Sequence, residues 1–195
     1  MSFELLGGRM LAPYFGSSVY VWGSIITVFM LALSIGYLSG GRYSLYNPSI
    51  RRFGGIFVFA ALSLLPTIFY SEQIFEFVFA RVEDPRYGSL FASTLVFFIP
   101  SIIMGMIAPY SVRILTVSAD SSGQTAGFLY FVSTLGSAIG TIMTSFYLVL
   151  WLEVNQIIWM TFFILLSAGI IAFAIDKLTD EPEDTGFVSP VPGEE

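Results

Sequence analysis

The sequence predicts an all-α fold, a polytopic membrane helical bundle of about five transmembrane helices. Three observations lead there: an apolar composition, a shortage of charge, and five long uncharged runs. Of the 195 residues, 55% are hydrophobic and only 11% are charged, against about 25% charged in a typical soluble domain. A soluble chain of this size would leave apolar surface in water and aggregate, whereas lipid presents an apolar solvent and removes that penalty.

Residues 1–16, containing SFELLGGRMLAPYF, are too short and too interrupted to span. They are expected either to lie at the interface as an amphipathic segment or to be the end of a helix that starts further upstream. Residues 17–175 form the transmembrane domain. Its first run, residues 17–39, holds no charge, and at 1.5 Å per residue it reaches roughly 34 Å, enough for a hydrocarbon core of about 30 Å. Tyr20 and Trp22 at one end and Tyr37 at the other fit interfacial aromatic belts. Further spans are expected at 53–70, 89–112, 127–152 and 156–175. Pro66, Pro100 and Pro109 fall within or near their ends and are read as kinks, because no intramembrane charge accompanies them. The ten-residue alternation of a membrane β-barrel is absent. Residues 176–195 are polar, acidic and proline-rich, and are expected to form a disordered cytoplasmic tail.

Arginine placement sets the expected orientation. The loop at 40–52 carries Arg42, Arg51 and Arg52 with no acid, which marks it as cytoplasmic. Alternation then puts 71–88 and the turn around Glu153 outside, and 113–126 and the C-terminus inside. The expected location is a bacterial-type plasma (inner) membrane. Within 71–88, Glu72 and Glu76 are read as the solvated face of an interfacial helix over Ile74, Phe75 and Phe79.

Several chemistries are excluded or unsupported. With no cysteine and no histidine, disulfides, thiolate catalysis, histidine acid–base chemistry and the commonest transition-metal ligands are lost. No metal site, cofactor or catalytic residue is expected, and no basic patch suits nucleic acid. Two groups of residues carry the functional expectations. Gly36 and Gly40 form one small-residue face; Ser133, Gly136, Ser137, Gly140, Thr141 and Thr144 form a second. Such faces let helix backbones approach closely, first within the bundle and otherwise against other membrane proteins or a second copy. The other group is polar and near the bundle ends: Glu4, Arg9, Tyr14, Tyr110 and Arg113. Glu4 and Arg9 are expected to pair with each other or with Arg113, as a structural pair rather than a substrate site.

The stretch ELLGGRMLAPYFGSSVYVWGSIITVFMLALSIGYLSGGR resembles the membrane region of the transmembrane spermidine-synthase-like proteins. The resemblance rests on Glu4, Gly8, Arg9, the run from Leu11 to Gly16, Val21, Trp22, Gly36, Tyr37, Gly40, Gly41 and Arg42, and on the later MGMIAPYSVR and TAGFLYFVSTLGSAIGTIMTSFYLV. That family joins a major-facilitator-like helical part to an aminopropyltransferase-like domain. The resemblance implies a half-major-facilitator-like bundle with one more helix ahead of Glu4. Residues 176–195 offer no Rossmann-like sheet for the named reaction, so that activity is not expected to transfer. Three functions are compatible with these features. The first choice is a non-catalytic scaffold or accessory subunit embedded in the lipid bilayer. The alternatives are a carrier or half-carrier for a small solute, and a membrane module for a separately encoded aminopropyltransferase-like enzyme.

Overall fold

The computed structural model describes residues 1–116 and 122–180, and every regular element among them is helical. The elements are α1 (Ser2–Phe15), α2 (Val19–Tyr43), α3 (Ile50–Ser63), α4 (Leu65–Phe79), α5 (Pro85–Leu115), α6 (Ser122–Ile142), a π-helical segment (Met143–Leu148), α7 (Val149–Trp151) and α8 (Val154–Asp180). Joined end to end, they give five helices long and apolar enough to cross a membrane: Val19–Tyr43, Ile50–Phe79, Pro85–Leu115, Ser122–Trp151 and Val154–Leu178. The all-α, five-helix membrane bundle expected from the sequence is therefore the fold. The tail beyond residue 180 lies outside the described residues.

Local chemistry sets the boundaries. Gly16 turns the chain from α1 into α2 with φ of 78°, a left-handed conformation that costs glycine nothing. Ser49 caps α3 by accepting from the Arg52 amide, and Asp84 caps α5 by accepting from the Arg86 amide, with Pro85 as its first residue. Pro66 produces a one-residue interruption at Leu64, after which α4 resumes. Pro100 and Pro109, by contrast, lie inside an unbroken α5 of 31 residues. Pro100 lacks the N–H that would bond the Val96 carbonyl; Thr67 Oγ1 of α4 donates to that carbonyl instead, at 3.1 Å.

One expectation needs correction. α4 runs without a break from Leu65 to Phe79, so Glu72 and Glu76 stand, exposed, on the same helix as the end of the second apolar run and not on a separate one. Phe75 is buried, but Phe79 is exposed. The apolar run continues past Tyr70, and the buried Phe75 and Val78 keep the helix packed beyond its first charge.

The core is built on close backbone approaches. α2 and α5 form the central pair, with Gly36 and Gly40 of α2 against Ile102, Gly105 and Met106 of α5. α3 and α8 make a second such pair where Gly54 meets Gly169. α1 packs one face against the bundle, where Phe3, Leu6, Leu11 and Phe15 are buried. Phe3, Phe29 and Phe97 form an aromatic cluster with ring centroids 5.4–5.7 Å apart. α6 is the exception. None of the apolar window in Ser122–Trp151 is buried; it touches α5 and, near Gly140, the start of α1, and Thr144 of the π segment is buried.

Alternation of the spans gathers Arg42, Arg51, Arg52, Arg113 and Lys177 at one end, five of the eight basic residues. The contact between the Arg51 amide and Asp176 marks this arginine-loop end. Arg86 against Tyr20 marks the opposite end.

Candidate functional site

Helical periodicity brings two of the expected polar residues together. On α1, Arg9 and Pro13, and Met10 and Tyr14, are four apart and so share a face. On α4, Ile68, Ser71, Glu72 and Phe75 follow the i, i+3, i+4, i+7 stripe of a single face. These two faces and the first residues of α8, Val154 and Asn155, enclose a cavity of about 310 Å³. This volume is at the lower bound of small-molecule sites, about 300 Å³.

The lining mixes a guanidinium, a carboxylate, a phenol, a carboxamide and a hydroxyl with an apolar wall. Ser71 is buried, Tyr14 is half-buried, and Arg9 and Glu72 are exposed. Tyr14 packs against Phe75 at 5.6 Å between ring centroids. Its phenol titrates above the ordinary tyrosine range, because desolvation and the nearby Glu76 and Glu72 carboxylates all disfavour the phenolate. Tyr14 is therefore a hydrogen-bond donor at physiological pH. Among the described residues, no group of three or more acids could hold a metal ion. What the arrangement offers is recognition of charge and hydrogen-bonding groups.

The remaining polar candidates lie elsewhere. Tyr110 is fully buried at the arginine-loop end. Its hydroxyl accepts from the Ser49 amide at 3.3 Å, and its ring stacks on Phe53 with 6° between planes. Tyr110 therefore holds the start of α3 and does not line the Arg9 cavity. Arg113 lines a separate space of about 450 Å³ with Pro48, Ser49, Thr116 and Asp176. There the Asp176 carboxylate accepts from the Arg51 amide at 3.0 Å, across 125 residues of chain. A carboxylate at a helix N-terminus satisfies a free N–H and complements the helix dipole. Glu4 is half-buried on α1, and among the described residues it forms no ion pair with Arg9 or Arg113.

The two small-residue faces have different fates. A Cβ on Gly36 would lie 2.3 Å from the Ile102 carbonyl, and one on Gly40 would lie 2.6 Å from Met106 Cα. That face is used inside the bundle. Around Gly136 nothing lies within 4 Å, and Gly140 meets only Ser2 Oγ at 3.1 Å. Ser133 and Ser137 border an opening shared with Tyr37, Pro109 and Tyr130, while Thr144 alone of the face is buried.

Ser71, Glu72 and Asn155 were absent from the expected site. The α4 stripe carried a signal for the first two, since it puts Ser71 and Glu72 in register with Ile68 and Phe75. Nothing local distinguishes Asn155, which arrives only through packing of α8. No family model matches the chain, and neither does any curated protein or solved structure.

Proposed function

We propose that this chain is a non-catalytic membrane scaffold or accessory subunit that docks the helices of partner membrane proteins on α6. The observation that carries this reading is the unused face of α6. It is apolar and long enough to span, yet its glycine at position 136 meets open space. In lipid the hydrophobic effect does not drive helices together; association relies on close packing, and small residues make it available. The equivalent face on α2 is already closed by α5, which leaves α6 as the exposed counterpart. The resemblance to the membrane part of spermidine-synthase-like proteins fits a module that acts beside other proteins. In this reading the arginine-loop end faces the cytoplasm of a bacterial-type plasma membrane, with the C-terminus; the distribution of basic residues supports that orientation.

The test is native mass spectrometry of the protein extracted gently from its own membranes. A stoichiometric complex with other membrane proteins is expected, and Gly136→Leu should release the partner while the chain itself stays folded. Removing close packing of this kind weakens association by about 1–2 kcal/mol, roughly five- to thirtyfold. A lone monomer or a simple homodimer would overturn this reading in favour of a small-solute carrier. Full retention of the partner by Gly136→Leu would remove α6 as the docking face.

A further inference from the structure

We propose that the cavity between α1, α4 and the start of α8 binds a small zwitterion, its anionic group on Arg9 and its ammonium group on Glu72. The inference is independent of the docking role of α6, because it rests on different residues at a different place in the bundle.

Opposite charges that line one cavity in a membrane protein lower their energy most simply by meeting each other. Arg9 and Glu72 do not. Both line the space, but among the described residues no ion pair joins them. Three of the other six arginines find partners close by. Arg81 lies 3.7 Å over the Phe77 ring, Arg86 lies 4.3 Å over Tyr20, and Arg52 donates to the Tyr46 carbonyl. Arg9 instead reaches a cavity of ligand size.

The surroundings separate the two signs. α8 begins at this cavity with Val154 and Asn155, and the positive end of its dipole adds to Arg9 in favouring an anionic group. Glu76 lies one turn beyond Glu72, so the α4 side of the cavity carries two carboxylates close to Tyr14. A ligand carrying only an anion would be repelled by these acids, and one carrying only a cation would be repelled by Arg9. A zwitterion satisfies both. Asn155, Ser71 and the protonated Tyr14 supply hydrogen bonds, and Phe69 and Phe75 give an apolar wall for a short carbon skeleton. Two sources fit this chemistry: the phosphoethanolamine headgroup of a membrane lipid, or a free zwitterion of the same kind.

The experiment uses the full chain in detergent, presented with an equimolar mixture of phosphatidylethanolamine and phosphatidylglycerol and read by native mass spectrometry. Phosphatidylethanolamine should be retained in preference. Arg9→Gln and Glu72→Gln should each lower its retention about tenfold, the loss of one charge-assisted contact. Glu153→Gln, which removes a charge at the same end without lining the cavity, should leave retention unchanged. Circular dichroism and size-exclusion profiles of all three variants establish that they fold. Free phosphoethanolamine is then added as competitor: displacement of the lipid identifies a soluble zwitterion as an acceptable ligand, and retention identifies the lipid headgroup. Equal retention of phosphatidylglycerol, an unchanged Glu72→Gln variant, or failure to hold either probe would overturn the proposal.

Discussion

The hydroxyl of Thr67 does for α5 what Pro100 cannot, donating to the Val96 carbonyl in a buried setting. Thr67→Val keeps the shape and removes the donor, leaving that carbonyl open in an apolar interior. The expected loss is about 1–2 kcal/mol, read as a lower midpoint in mixed-micelle unfolding; an unmoved midpoint would mean that the carbonyl finds another donor. Ser101, next to the proline, shows the other side of the accounting, since its buried Oγ has no partner among the described residues. At this scale the sequence was legible in part. Arg9 and Tyr14 stand out as polar residues in an apolar segment, and they do share a cavity. Tyr110 looks equivalent in sequence, yet burial and the Ser49 contact take its hydroxyl out of play. The charge of Glu72 suggested the end of the apolar helix, whereas α4 continues past it to Phe79.

Among the elements, glycine pairs with identical spacing behave in opposite ways. Gly36→Ala forces a Cβ to within 2.3 Å of the Ile102 carbonyl, so α2 and α5 must separate; the expected loss is about 2 kcal/mol or more. Gly136→Ala meets nothing and should change the stability of the isolated chain by less than about 0.5 kcal/mol. Thermal unfolding of the two purified variants checks the pair, and similar losses in both would contradict the open face on α6. The motif was visible in the sequence at both positions, but which of the two faces is covered depends on tertiary packing. The break at Leu64 was legible through Pro66. The π-helical segment Met143–Leu148 was not. It contains no proline or glycine, and its wider winding accompanies the inward placement of Thr144.

For the whole molecule, apolar runs were enough to give the class and number of the spans, because few other structures satisfy backbone hydrogen bonds in lipid. Their ends were less legible, since the helices continue past the apolar windows by several residues. The absence of native cysteine makes sidedness directly measurable. Leu45→Cys lies in the arginine-loop end and Glu83→Cys in the opposite loop, both at exposed positions. A membrane-impermeant maleimide applied to intact cells should label Glu83→Cys at once and Leu45→Cys only after permeabilisation. Labelling of both from one side would contradict an odd number of crossings between them, and the reverse order would invert the orientation. The contact between Asp176 and the first turn of α3 also has a consequence in time. Its two partners are 125 residues apart, a stretch that takes roughly 6–25 s to synthesise at about 5–20 residues per second. Through that interval the nascent α3 sits in the bilayer with its first-turn amide uncapped and the Gly54 face uncovered. The α3–α8 contact closes only when α8 leaves the ribosome, so a chain stalled before α8 would present an open helix face to any neighbour that arrives first.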